Sequence, residues 1–265
     1  MPVDISASFA FSFEQHTSAL LQFEAADLPE QELIEVSSKI TETEHFARVG
    51  AQDDIGERIW LNGKGRIEVD YRARVAPKRE LFDLPSLAAM QPHDLPGETV
   101  KYLLDSRYCR ADQFQSLVET EFDGTEGGER IDAIRKWIGE HFDYVPGSSN
   151  QTTTATESFI KRQGICRDYT HVLVTLARAS TIPARYVACF APGVSPQDFH
   201  AVAEVFLADP SGDGGTWQLV DATGMADLAN AVKIGVGRDA ADVSFVTSFG
   251  PMQFEYSKVE VAKSN

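Results

Sequence analysis

The spacing of apolar residues changes part-way along the chain, and this change limits the folds that the chain can adopt. In residues 5–13 apolar and polar side chains alternate, a period of two that is typical of strands with one buried face. Residues 33–40 form a second candidate strand. Residues 58–61 and 66–71 flank Asn62-Gly63-Lys64-Gly65 and are predicted to form a hairpin. Regularly spaced short strands predict an antiparallel β-sandwich.

A helical period replaces the alternation after the stretch that contains Pro85, Pro92 and Pro96. Helical spacing is evident in residues 114–122 and 131–142, and Thr154 and Glu157 match a capping box that begins a short helix ending at Gly164. A further helix begins at Cys166, and strands are predicted at residues 184–190, 200–207 and 217–220. We therefore predict an α+β protein, with a β-sandwich domain in residues 1–100 and a second domain in residues 101–265.

Composition narrows the classes of partner. The chain has 265 residues, 43% of them hydrophobic, and a formal net charge of −16. This charge argues against nucleic acid or an anionic membrane as the main partner. The N-terminus has no pattern of a secretory signal, and no apolar run approaches the roughly 20 residues of a membrane helix. We expect a cytoplasmic protein; the sequence does not indicate its oligomeric state.

Three cysteines occur, and an odd number in a cytoplasmic protein predicts free thiols. Cys166 opens a predicted helix, where backbone N–H groups and the helix dipole stabilise a thiolate. Cys189 lies in an apolar strand and Cys109 in no motif, so both are expected to be structural. Cys166 is therefore the candidate nucleophile.

Two downstream residues complete the elements of a thiol acyl-transfer site: His200 as a base and Asp221 as the group that orients it. If Leu207 pairs with Trp217, Asp221 lies opposite Ala203, about 10 Å along the strand from His200. A tighter loop brings Asp221 opposite His200. The site requires that register or a bulge, and the alternative is that Asp221 is an ordinary turn residue.

Other polar residues receive simpler interpretations. His171 is expected to be a packed or capping group, and Asp168 a carboxylate favoured by the helix dipole. Tyr144 and Asn150 are candidates for lining the cleft, with Tyr144 as a possible donor to an oxyanion. No Cys-x-x-Cys, His-Glu-x-x-His or complete dinucleotide motif occurs, so we expect no metal and no cofactor.

Four motifs in this order resemble the bacterial transglutaminase-like cysteine-enzyme superfamily. The resemblance covers residues 130–225 and rests on residues 164–171 (GICRDYTH), 182–187 (IPARYV), 198–201 (DFHA) and 221–224 (DATG). It implies a papain-like fold, in which a nucleophile-bearing helix packs on an antiparallel sheet. The strand-rich segment before it resembles the β-sandwich that often precedes this core in bacterial members.

The resemblance also implies a chemistry. Cys166 would be the nucleophile, His200 its base and Asp221 the orienting carboxylate, acting on a protein or peptide substrate with an amide bond. Hydrolysis is favoured over cross-linking, because no second-substrate feature and no calcium loop are visible. Val202 stands where many members have an aromatic residue. The alternatives are acyl transfer to arylamines, deglycosylation, and a binding or assembly module that has kept the fold without the chemistry.

Overall fold

The structure is a computed structural model that describes residues 1–212 and 214–264. It contains twelve strands within these residues: β1 (Val3–Leu21), β2 (Gln31–Ile40), β3 (His45–Gly50), β4 (Glu57–Pro77), β5 (Asp143–Tyr144), β6 (Gln163–Gly164), β7 (Ala184–Phe190), β8 (His200–Ala208), β9 (Gly215–Val220), β10 (Val232–Gly237), β11 (Val246–Ser248) and β12 (Gln253–Lys263). Its α-helices are α1 (Gln115–Glu121), α2 (Gly127–His141), α3 (Ala155–Lys161) and α4 (Cys166–Ala179). Short 3-10 helices lie at Gln52–Asp54, Leu84–Ser86, Pro92–Asp94, Gly97–Tyr102, Ala111–Gln113 and Leu228–Asn230.

These elements form an α+β fold with antiparallel sheets, which confirms the predicted fold class. The helical spacing in residues 114–142 corresponds to α1 and α2, and the three strands predicted after α4 correspond to β7, β8 and β9. None of the helices in the described residues is both long enough and apolar enough to cross a membrane.

The first sheet is built on two long antiparallel strands, β1 and β4, which pair along most of their length. β2 and β3 pair with the two halves of β4, whereas β12 and β11 pair with the two halves of β1. All six strands therefore belong to one hydrogen-bonded sheet. Its inner face carries the alternating apolar residues of the sequence, including Phe9, Phe11, Val69 and Tyr71, which are fully buried.

The predicted hairpin around Asn62-Gly63-Lys64-Gly65 is wrong, because β4 continues through it. Phe13 pairs with Gly65 and Thr17 with Gly63, so three residues of β1 lie opposite Lys64 alone. The extra residues bulge out of β1, and Gly65 adopts a positive φ of 84° that suits glycine. The glycines therefore accommodate an irregularity in one strand rather than a reversal of the chain.

The second sheet has four antiparallel strands in the order β10-β7-β8-β9, and α4 packs against β7 and β8. Asp168 through Arg178 of α4 are buried, which makes this helix the centre of the second core. α3 begins with the predicted capping box but ends at Lys161, before Arg162 with its left-handed φ of 56°, rather than at Gly164. Gly164 belongs instead to β6, which pairs with β5 at Tyr144.

The two sheets share a core. Phe190 of β7 and Val232 and Ile234 of β10 pack in the same apolar cluster as the inner face of the first sheet. The chain also returns to that sheet at its end, through β11 and β12. The division into two domains at residue 100 remains a prediction. β11 and β12, which follow the second sheet in the chain, lie in the first sheet.

A buried cluster of charged residues also connects the second sheet to the first unit of the chain, residues 1–100. Glu204 of β8 is 1% exposed and pairs with Arg185 of β7, at 2.7 Å, and with Lys233 of β10. Arg185 and Lys233 also contact carboxylates of the first unit, Asp53 at 3.4 Å and Glu30 at 2.9 Å. Burial raises the pKa of Glu204, but the charges and hydrogen bonds of Arg185 and Lys233 outweigh burial and lower it to about 2. Glu204 is therefore ionised at neutral pH.

We expect Glu204→Ala to lower the free energy of unfolding by about 3–5 kcal/mol, because it leaves two buried cations without their shared carboxylate. Chemical denaturation at neutral pH measures this loss. Asp4→Ala, which breaks the exposed pair with Arg74, serves as a control and should have a much smaller effect. Equal effects of the two substitutions would contradict a stabilising role for the buried cluster.

Candidate active site

Cys166 is the first residue of α4, and its side chain is partly exposed. The helix begins here because Ile165 has an extended backbone and Asp168, in the first turn, accepts a hydrogen bond of 2.8 Å from the Ile165 N–H. Free backbone N–H groups at this end of the helix favour negative charge. The structure thus places Cys166 at a helix N-terminus, as the sequence predicts.

His200 and Asp221 come together through the register of β8 and β9. Leu207 pairs with Thr216 and Ala203 with Val220, which is neither of the registers considered from sequence. Continuing this register puts Asp221 opposite the residue two places from His200, so the two side chains share one face as diagonal neighbours. His200 Nε2 and Asp221 Oδ2 are 3.1 Å apart.

The turn after β9 fixes the Asp221 carboxylate. Oδ1 accepts hydrogen bonds from the backbone N–H and the hydroxyl of Thr223, at 2.8 and 2.7 Å. Oδ2 accepts from the N–H groups of Met225 and Ala226, at 3.1 and 2.9 Å, in addition to its contact with His200. The Asp-Ala-Thr-Gly segment is therefore a turn that holds the carboxylate. Asp221 is a turn residue and also contacts His200, so the two interpretations from sequence do not exclude each other.

α4 and β8 are also tied together behind the site. The Thr170 hydroxyl donates a hydrogen bond of 3.0 Å to the carbonyl of Ala201, the residue after His200. This contact joins the helix that carries Cys166 to the strand that carries His200.

The electrostatics of the pair favour a charged imidazole. His200 and Asp221 are 2% and 4% exposed. Burial lowers the pKa of His200, but the hydrogen bonds and charges of Asp221 and Cys166 outweigh burial and raise it to about 9. Burial raises the pKa of Asp221, and the His200 contact together with the Ala226 and Thr223 donors lowers it below its ordinary value. Asp221 occupies Nε2, and Nδ1 has no hydrogen-bond partner among the described residues.

The residues expected to be structural are buried, and one of them, Cys189, pairs with His200 across β7 and β8. Burial raises the pKa of the Cys109 thiol to about 12 and that of the Cys189 thiol well above its ordinary value. His171 is fully buried, stacks on Tyr108 and accepts a hydrogen bond of 3.1 Å from the Ala240 N–H. Burial lowers its pKa well below the ordinary value, which makes it a packed neutral group.

Tyr144 lies beside Cys166, whereas the side chain of Asn150 forms hydrogen bonds within its own loop. Burial raises the pKa of Tyr144 to about 12, and Cys166 adds to the rise through its charge. The Asn150 side-chain oxygen accepts hydrogen bonds from the N–H and hydroxyl of Thr152, at 2.8 and 2.7 Å. The Asn150 carbonyl accepts from Arg167, at 2.9 Å. Of the two residues predicted for the cleft, only Tyr144 borders the thiol through its side chain.

A cleft of about 480 Å³ adjoins the Asp221 turn, a size typical of sites for small molecules or peptide side chains. It lies between β9, α2 and the segment that follows β4, and its walls include Leu81, Leu84, Pro85, Arg135, Leu219 and Leu228. In the described part of the chain, no group of three or more His, Cys, Asp or Glu side chains is arranged to hold a metal ion.

A family comparison agrees with this geometry. Residues 113–222, which include Cys166, His200 and Asp221, match the family model of the transglutaminase-like superfamily. The chain contains a transglutaminase-like domain. Its helix α4 packed on an antiparallel sheet is the papain-like arrangement that the sequence motifs implied.

One crystal structure extends the similarity beyond this domain. A crystal structure of a candidate cysteine protease from Cytophaga hutchinsonii is 29% identical and superimposes with a TM-score of 0.90, over 99% of this chain and 90% of that chain. The periplasmic domain of TgpA from Pseudomonas aeruginosa is 14% identical, with a TM-score of 0.41 over 80% of this chain and 88% of that one. The first sheet and the transglutaminase-like domain thus occur together in the Cytophaga protein.

A match to an uncharacterized protein of Mycobacterium leprae is 23% identical over 124 residues. It covers 45% of this chain and 43% of that protein. The matched segment therefore spans less than half of this curated relative.

We expect the imidazole of His200 to titrate near pH 9, and Asp221→Asn to move its titration to a pH lower by about one or more. The carboxylate stabilises the imidazolium, so its loss favours the neutral ring. Two-dimensional NMR of the histidine ring nitrogens measures both values, with neutral His171 as an internal reference. An identical His200 titration in the two proteins would show that Asp221 does not stabilise the imidazolium.

Proposed function

We propose that this protein is a thiol-dependent acyl-transfer enzyme that hydrolyses peptide, isopeptide or carboxamide bonds through Cys166, His200 and Asp221. The observation that carries the proposal is the buried hydrogen bond between His200 and Asp221 beside a cysteine at a helix N-terminus. A thiol needs a base to become a nucleophile, and the base needs an orienting group. The three residues supply these roles.

The first step is attack of the Cys166 thiolate on the carbonyl carbon. A C–S bond forms, and the carbonyl oxygen becomes an oxyanion. His200, charged at neutral pH because its pKa is about 9, then gives its proton to the leaving nitrogen as the C–N bond breaks. An amine departs, and a thioester to Cys166 and a neutral imidazole remain.

Water completes the reaction. Neutral His200 accepts a proton from water as the water oxygen attacks the thioester carbon. The C–S bond then breaks, the carboxylic acid is released, and the thiolate and imidazolium are restored. Throughout the cycle Asp221 keeps Nε2 occupied, so that proton transfer is confined to Nδ1.

Two donors are candidates for stabilising the oxyanion. The backbone N–H of Cys166 lies at the start of α4, where it is free of the hydrogen-bonding pattern of the helix. The Tyr144 hydroxyl lies against Cys166, and its pKa of about 12 keeps it protonated and able to donate. Tyr144 lies in β5 and pairs with Gly164 of β6, two residues before Cys166.

Hydrolysis is favoured over amine transfer because the Cytophaga protein, similar along nearly the whole chain, is described as a candidate protease. A charged imidazole next to a thiol activates a nucleophile, and binding alone does not require one.

We expect Cys166→Ala to lower kcat/KM on a responsive peptide or carboxamide by about 10³-fold or more, since loss of a nucleophile removes the covalent pathway. Mass spectrometry of products from a peptide library, with and without an added lysine-like amine, separates hydrolysis from amine transfer. Cys109→Ala, which alters a buried thiol outside the site, is the matched control and should retain turnover per folded molecule. Undiminished turnover by Cys166→Ala would refute the nucleophile assignment.

A further inference from the structure

We propose that Asp168 is a positioning residue that fixes the backbone at Cys166, so that the Cys166 N–H points to the carbonyl oxygen of the substrate. The inference rests on the proposed function, because it assigns a role in the same acyl transfer. Asp168 lies in the first turn of α4, two residues after the nucleophile. The sequence indicates no more for it than a carboxylate favoured by the helix dipole.

The burial of Asp168 is unusual for a helix cap. Its side chain is fully buried, and among the described residues no Lys, Arg or His forms a salt bridge with it. A buried carboxylate without a cation needs hydrogen bonds to offset its lost hydration. Those hydrogen bonds identify what Asp168 holds in place.

Three segments converge on the carboxylate. Oδ2 accepts from the Ile165 N–H, at 2.8 Å, and from the Ser149 hydroxyl, at 2.6 Å, whereas Oδ1 has a longer contact of 3.4 Å with the Ser158 hydroxyl. Ser149 lies in the loop after β5 and Ser158 lies in α3. Asp168 therefore connects the peptide preceding Cys166 to the loop after β5 and to α3.

Gly164 provides the space for this arrangement. A Cβ atom at Gly164 would lie 2.9 Å from Asp168 Oδ2 and closer still to Asp168 Cβ. Gly164 pairs in turn with Tyr144, and its carbonyl accepts a hydrogen bond of 2.9 Å from the Val145 N–H. The contact between Gly164 and Asp168 thus sets the distance between the two candidate oxyanion donors, Tyr144 and the Cys166 N–H.

The neighbouring helix provides an internal comparison. Glu157 occupies the same position in α3 and accepts a hydrogen bond of 2.8 Å from the Thr154 N–H, yet it is exposed and shares its cap with the Thr154 hydroxyl. Ile165 offers no hydroxyl, so Asp168 alone fixes the start of α4. A cap that serves only the helix does not require burial or links to two other segments.

Kinetics and alkylation of four variants test the proposal. Asp168→Ala is expected to lower kcat by about 10²-fold with KM nearly unchanged, as displacement of a catalytic group by an ångström can do. The rate of alkylation of Cys166 by iodoacetamide should stay within about threefold of the original. In alkylation the thiolate replaces iodide, and no oxyanion forms. Asp168→Asn, which keeps an oxygen for Ile165 and Ser149, should restore kcat to within about fivefold of the original.

The other variants address folding. Glu157→Ala is the matched control and should leave kcat unchanged while removing a comparable helix cap. Gly164→Ala keeps the carboxylate but displaces it, and should lower kcat about tenfold or more even if Asp168→Ala does not fold. An unchanged kcat in Gly164→Ala, an Asp168→Asn as impaired as Asp168→Ala, or an equal loss of alkylation and turnover would overturn the positioning role.

Failure of the proposed function is recognised separately, as absence of turnover in the original protein. Hydrogen exchange of the amides of residues 165–167 then decides the inference. In Asp168→Ala and Gly164→Ala these amides should exchange about tenfold faster than in Glu157→Ala, because the fixed turn opens, whereas in Asp168→Asn they should stay protected. Equal exchange in all variants would overturn the proposal whatever the reaction.

Discussion

The hydrogen bond between His200 and Asp221 is the interaction on which the proposed chemistry depends. Burial alone would make the imidazole neutral, and the carboxylate reverses that tendency, so His200 has a raised pKa of about 9. Burial raises the pKa of Asp221, but the contact with His200 and the donors of the turn lower it below its ordinary value. The β8–β9 register, the turn and the buried pair therefore act together to hold a proton beside Cys166.

The first sheet contributes to this site through β8. Glu204 lies on the same strand as His200, and its partners Arg185 and Lys233 also contact carboxylates of the first unit. Phe190 and Ile234 add a shared apolar core. Because both polar and apolar contacts cross between the sheets, the strand that carries His200 is supported by the N-terminal sheet rather than by the transglutaminase-like domain alone.

Sequence predicted the parts of the molecule that depend on local pattern. Alternation identified β1, helical spacing identified α1 and α2, and the position of Cys166 predicted a thiol at a helix start. It failed where a partner distant in sequence decides the structure. Gly63 and Gly65 resemble a turn, yet β1 pairs on both sides of them. The β8–β9 register depends on the pairing of two strands, and a local pattern does not record it. The burial of Asp168 likewise depends on contacts with distant residues such as Ser149.

Site-resolved alkylation of the three cysteines tests the central claim most directly. Iodoacetamide labelling near neutral pH, followed by mass spectrometry of the native protein and of His200→Ala, compares Cys166 with the buried Cys109 and Cys189. We predict rapid labelling of Cys166 alone, because only a thiolate reacts and His200 stabilises it, and a loss of this rate in His200→Ala. Labelling of Cys166 that is equally fast without His200, or no faster than at the two buried thiols, would contradict a thiolate–imidazolium pair.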